Sequence, residues 1–166
     1  EATGYQPEGL RIAIKKEIPV CAGLAGGSSD AAAMLRLLNE RYKAGMRPEE
    51  LGKIGAGVGS DVPYCIAGGT ALAEGRGERL TPLPEIPDCY FVLCKPPFPV
   101  STPELFHSVD AVRLRCHPDT AGMIEALEHK DLPGIGQRLY NVFEDVLEGR
   151  KKSQVREIRH ALLEQG

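Results

Sequence analysis

Tryptophan is absent from this chain, no two cysteines are spaced C-x-x-C, and no apolar run approaches the ~20 residues that cross a bilayer. The five cysteines, Cys21, Cys65, Cys89, Cys94 and Cys116, are odd in number, which argues against both a disulfide framework and a thiolate zinc site. The four histidines, His107, His117, His129 and His160, show no metal-ligand spacing, and H-E-x-x-H does not occur. Acidic and basic side chains are interspersed, with a formal net charge of −3, so no basic arm or stripe points to nucleic acid. Glu1-Ala2-Thr3-Gly4 lacks the charged and apolar regions of a signal peptide, and the expectation is a cytoplasmic protein without a membrane partner.

What the sequence does contain is a globular composition. Its 166 residues are 42% hydrophobic, enough for a substantial core. Nineteen glycines and thirteen prolines imply many tight connections, as in a compact α/β chain.

Leu10, Ile12 and Ile14 alternate with Arg11, Ala13 and Lys15, the period of a strand with one buried face. A run of small residues follows, and Ser28-Ser29-Asp30 offers caps for a helix whose apolar face is Ala31, Met34, Leu35, Leu38 and Tyr42. Gly45 and Pro48 punctuate its end. A second helix is expected from Pro48-Glu49-Glu50, with the stripe Leu51, Ile54 and Val58, and a third start at Gly59-Ser60-Asp61-Val62-Pro63. Short strands are expected at 70–73 and 78–80 around Gly75-Arg76-Gly77, and another at 90–94. Thr102-Pro103-Glu104 reads as cap, first-turn proline and dipole-matching acid. Helical spacing then links Ile135, Leu139, Val142, Phe143, Val146 and Leu147, and again Val155, Ile158 and Leu162. The proline-dense connection from Pro82 to Pro87 is the expected domain boundary.

The most informative stretch is Pro19-Val20-Cys21-Ala22-Gly23-Leu24-Ala25-Gly26-Gly27-Ser28-Ser29-Asp30. Between a strand and an amphipathic helix, it would aim backbone N–H groups and the positive end of the helix dipole at one point, an arrangement that binds phosphate. Ser28 and Ser29 could donate hydroxyl bonds or reach a magnesium ion. The alternative is a tight strand-to-helix turn with a serine cap. Neither G-x-x-x-x-G-K-[ST] nor G-x-G-x-x-G is present, because Lys53 is followed by Ile54, so P-loop and Rossmann assignments fall away.

In Pro19, Gly23, Leu24, Ala25, Gly26 and Ser28 the stretch resembles the P-x-x-x-G-L-[GSA]-[GS]-S-[SA] signature of the GHMP kinases. Lys16-Glu17-Ile18-Pro19, Gly59-Ser60-Asp61-Val62-Pro63, Gly68-Gly69-Thr70-Ala71, Ala73-Glu74-Gly75-Arg76-Gly77-Glu78 and Asn141-Val142-Phe143-Glu144 extend the resemblance to the diphosphocytidyl-methylerythritol kinase branch. The resemblance implies a two-lobe α/β (α+β) fold, with a nucleotide lobe over 1–81 and a mainly helical acceptor lobe over 82–166. It implies ATP and magnesium as cofactors, a cytidine diphosphate-linked methylerythritol as small-molecule partner, and a place in non-mevalonate isoprenoid synthesis. Oligomeric state stays open, a homodimer being one option.

By the same resemblance, Asp61 takes or orients the proton of the acceptor hydroxyl. The bland reading is that it only caps the next helix. Pro19, Gly23, Leu24, Ala25, Gly26, Gly27, Ser28 and Ser29 are the expected triphosphate contacts, with Ser28 nearest magnesium, and Lys16 is placed near the nucleotide. Thr102 and Phe106 belong to the stretch that meets the acceptor, Phe106 stacking on the base, although an aromatic at that spacing is most often core. Asn141 and Glu144 read as structural hydrogen-bonding residues, and neither Cys21 nor Cys65 as a nucleophile. The resemblance also implies a lysine-bearing segment before Glu1 and a third glycine motif after Gly166, so that the 166 residues alone are expected to turn over poorly. A non-catalytic anion-binding or assembly module of the same fold, or a GHMP kinase for another small alcohol, are the competing readings.

Overall fold

A computed structural model describes residues 9–20, 22–114 and 116–165. Cys21, in the glycine-serine stretch, and Gly166 lie outside them. The chain divides into two compact units, Glu1–Leu83 and Pro84–Gly166.

In the first unit, α1 (Gly26–Arg41), α2 (Pro48–Ala56) and α3 (Val62–Ala67) precede a hairpin of β1 (Ala71–Glu74) and β2 (Arg79–Pro82). Its core is Ala32 of α1, Leu51 of α2, and Val62 and Ile66 of α3, with Ala31, Leu35, Met46 and Cys65 packed around them. The predicted face of α1 is half-buried throughout, but Ala32, one position round, is the residue in the centre. Close helix approach explains this: a methyl group on Gly55 of α2 would come within 2.7 Å of Val62 Cγ1, so only small residues fit where the helices touch.

Two polar devices hold the helices in register. Asn39 near the end of α1 takes both backbone groups of Met46, its Oδ1 accepting from the N–H at 3.0 Å and its Nδ2 donating to the carbonyl at 2.9 Å. Arg36 donates from α1 to the carbonyls of Cys65, at 3.0 Å, and Ile66, satisfying groups that the C-terminal end of α3 leaves open. At the start of α2, Glu50 reaches back to accept from the Arg47 N–H at 2.8 Å, which holds its carboxyl below the usual range.

The hairpin pairs Ala71 with Pro82 and Glu74 with Arg79, so each strand starts one residue later than expected and ends one or two residues later. Three other expectations fail here. Residues 10–14 form no strand, and Leu10, Ile12 and Ile14 are exposed; the alternation is present, but among the described residues no neighbouring strand supplies the ladder that extended backbone needs. Val58 lies past the end of α2 and is exposed. The helix α1 starts at Gly26, with Ala25 at the N-cap, so Ser28, Ser29 and Asp30 are helical residues and cap nothing.

The second unit holds α4 (Thr102–Asp110), α5 (Thr120–Glu128), α6 (Leu132–Gln137), α7 (Phe143–Val146) and α8 (Gly149–Glu164). Residues 90–94 form no strand either; Tyr90 is 102% exposed, and the apolar run has no partner among the described residues. Ser101, not Thr102, is the N-cap residue of α4, with Thr102 and Pro103 in its first turn. The single helix implied by the spacing from Ile135 to Leu147 is broken into α6 and α7, and Leu139 between them is exposed.

The best-formed part of this unit is a repeated cap. Asp119 accepts from the Gly122 N–H and Asp131 from the Gly134 N–H, each at 3.0 Å, and Arg138 joins the two by donating to Asp119 at 3.1 Å and to the Gly134 carbonyl at 3.0 Å. Ala126, Leu127 and Ile135 form the small core beneath. In α8 no residue is fully buried, and Leu162 of its predicted apolar face is exposed.

Candidate active site

The glycine-serine stretch does form a turn into a helix N-terminus. Ala25 adopts left-handed backbone at φ 49°, a conformation that strains a side-chain-bearing residue, and this turns the chain sharply into α1. Gly23, at φ +70°, makes a second left-handed turn two residues earlier. No side chain caps α1 and no acidic residue occupies its first turn, so its leading N–H groups and the positive dipole end are left for an outside acceptor. Gly27 faces open space, whereas a methyl group on Gly26 would lie 3.1 Å from Ile18 Cγ2 and 3.7 Å from Lys16 Nζ. The entering segment therefore lies directly beneath the loop. Lys16 is ion-paired there with Asp30 of α1. Pro19, Leu24 and Ser29 are exposed around the turn, and Ala25 is half-buried in it.

The turn before α3 comes up against the same helix end. A methyl group on Gly59 would sit 3.9 Å from Ser28 Oγ, which places the Ser28 hydroxyl beside the 59–61 turn. Asp61 occupies the N-cap position of α3, but its side chain accepts no capping bond and is exposed. The Asp61 backbone is already helical, at φ −89° and ψ −7°, where a capping residue is normally extended. The capping bond that the bland reading expects is therefore absent.

Sequence reasoning placed Gly77 in a turn and in a run resembling the family but gave it no role at the site, yet it adjoins this cluster. Its φ of +109° excludes ordinary residues, and a methyl group on it would lie 3.3 Å from the Ser60 carbonyl and 3.7 Å from Asp61 Oδ1. The hairpin loop thus closes on the Asp61 turn. Its shape is set by Glu78, which accepts from the Arg76 N–H at 2.7 Å and whose carboxyl is lowered by backbone hydrogen bonds. The sequence signal was the G-x-G spacing within that run.

Cys65, one turn along α3, has its thiol pushed up by partial burial and then by the negative charge of Asp61. It stays a neutral thiol at neutral pH, in keeping with the reading that it is no nucleophile.

In the second unit, Thr102 is exposed in the first turn of α4 and Phe106 is 55% exposed, its ring edge-to-face with Phe143 at 5.1 Å between centroids. Phe98 lies under Lys151, with the ammonium 5.8 Å from the ring centre. Asn141 accepts from the Phe143 N–H at 3.1 Å, and Glu144 pairs with Arg159 at 3.3 Å, so both make structural bonds. No group of three or more His, Cys, Asp or Glu side chains among the described residues could hold a metal. That is compatible with magnesium, which keeps waters and is held through phosphates and one or two protein oxygens. No helix of the described residues is long and apolar enough to cross a membrane.

Residues 1–69 match the family described as the GHMP kinases N terminal domain. The chain is 50% identical over 139 residues to 4-diphosphocytidyl-2-C-methyl-D-erythritol kinase of Geobacillus kaustophilus, an alignment covering 84% of this chain and 48% of that protein. It is 46% identical over 159 residues to the enzyme of the same name from Brevibacillus brevis, covering 96% and 54%, and 49% identical over 156 residues to that of Listeria monocytogenes, covering 93% and 52%. The chain spans about half the length of these curated relatives. Residues 1–69 thus carry the GHMP kinase N-terminal domain, and the chain is similar to these kinases along most of its own length.

Proposed function

We propose that the protein carrying this chain transfers the γ-phosphate of ATP to the 2-hydroxyl of 4-diphosphocytidyl-2-C-methyl-D-erythritol. The observation that carries the reading is the meeting of an uncapped helix N-terminus, the Ser28 hydroxyl and the uncapped Asp61 carboxylate in one small region. The first is suited to phosphate oxygens, the last to a hydroxyl proton, and phosphoryl transfer needs both held close.

In this reading, the N–H groups of the 23–29 loop and the start of α1 hold the triphosphate, and the dipole offsets part of its charge. Magnesium, when bound with the nucleotide, neutralises phosphate charge, and Ser28 is the residue that would hold it. Asp61 orients the acceptor hydroxyl and takes its proton as the new oxygen–phosphorus bond forms and the bond to ADP breaks. Asp61 can do this because its oxygens accept no bond from the helix it precedes. Gly77 leaves room for the acceptor beside that carboxylate, where a larger residue would intrude. Thr102 and Phe106 are the proposed acceptor contacts, the half-exposed Phe106 ring offering a surface for the base.

Release of ADP with the true acceptor, compared with an analogue lacking only the 2-hydroxyl, tests the assignment. ADP release with the acceptor and only background hydrolysis with the analogue is the expected result. Equal turnover with both would show that the phosphate goes elsewhere.

A further inference from the structure

We infer that the Lys16–Asp30 ion pair is the clasp of the phosphate-binding loop, a positioning pair that holds the loop in its binding shape. This rests on the proposed reading of that loop as the triphosphate site. The two residues bracket it: Lys16 stands three residues before Pro19, and Asp30 is in the second turn of α1, so the pair joins positions 14 apart in sequence. Between them lie the residues with the least intrinsic preference for one shape, Gly23, Gly26 and Gly27, and the strained Ala25. No side-chain cap fixes them at the helix start. What does fix them is the contact of Gly26 over Ile18 and Lys16, and the ion pair alongside it.

The pair also settles a charge conflict. Asp30 is an acid close to a helix end that would receive a triphosphate, and a bare carboxylate there repels the ligand. Lys16 cancels that charge. Both side chains are about two-thirds shielded from solvent, at 37% and 31% exposure, so the pair is less screened than an ordinary surface pair.

Titration of magnesium with the non-hydrolysable β,γ-imido analogue of ATP into the full-length protein tests this by a double-mutant cycle of Lys16→Met and Asp30→Asn, with Lys16→Arg as control. Each single variant is expected to bind about twofold to fivefold more weakly, Lys16→Met the worse of the two. The double variant is expected to be no weaker than Lys16→Met alone, and Lys16→Arg to bind like wild type. In turnover, KM for ATP rises more than kcat falls. If Asp30→Asn binds as well as wild type or better while Lys16→Met weakens, lysine acts directly on the nucleotide and the clasp is wrong. Losses that simply add in the double variant, or that follow melting temperature across the set, also overturn it. A wild-type protein that is folded but fails to bind the nucleotide removes the loop assignment and the clasp together, an outcome distinct from the others.

Discussion

Gly55, Asn39 and Tyr140 show how much depends on single atoms. At Gly55 the space for a side chain is already filled by Val62 and Ile66, so Gly55→Ala should destabilise by about 1–3 kcal/mol despite its better helix propensity, measured by urea unfolding. Asn39→Ala leaves the Met46 backbone groups without their side-chain partner and should cost about 1–3 kcal/mol. Tyr140 donates to Asp145 at 2.5 Å, which pushes its phenol up to about 12 from an ordinary 10.0. Because the folded value is raised, the stabilisation is complete below the ordinary value and is lost as pH climbs through about 12. Asp145→Asn should bring that ionisation down toward 10.0, read as the difference in near-ultraviolet titration against Tyr140→Phe. At this scale the sequence was partly legible. The glycine-serine signature marked a turn into α1, but not Ala25 as its strained pivot or Asp30 as the partner of Lys16, because both depend on how the chain folds back on itself. For Asp61 the local pattern favoured a cap; what decides against it is its already helical backbone, which the local sequence does not fix.

Among the elements, helices were the legible part and strands were not. A helix closes its hydrogen bonds within its own segment, so the periodicity of α1 and the start signals of α2 and α3 were enough to place them. A strand needs a partner. Of the expected strands only β1 and β2 pair, joined by a tight loop, while the alternating residues at 10–14 and the apolar run at 90–94 remain unpaired among the described residues. The break between α6 and α7 escaped notice because the apolar spacing ran through it, although α6 has its own cap at Asp131. Sequence does carry that signal twice, as Asp119 with Gly122 and Asp131 with Gly134. Asp119→Ala and Asp131→Ala should each cost about 1 kcal/mol in thermal unfolding, and because Arg138 touches both caps their effects should fail to add.

For the whole molecule, the family could be read from sequence because its motifs are short and bound to backbone geometry, whereas two-lobe architecture depends on packing across many residues. In the proposed mechanism Asp61 takes the acceptor proton next to the triphosphate loop. A phosphorus NMR time course of the full-length protein with magnesium-ATP and 4-diphosphocytidyl-2-C-methyl-D-erythritol, beside Asp61→Asn, tests it most directly. Asp61 is exposed and caps nothing, so the variant should stay folded. A new phosphomonoester signal with matching ADP is expected in the wild type, slowed at least ~10²-fold in Asp61→Asn. The same signal growing at an unchanged rate in the folded variant would contradict it.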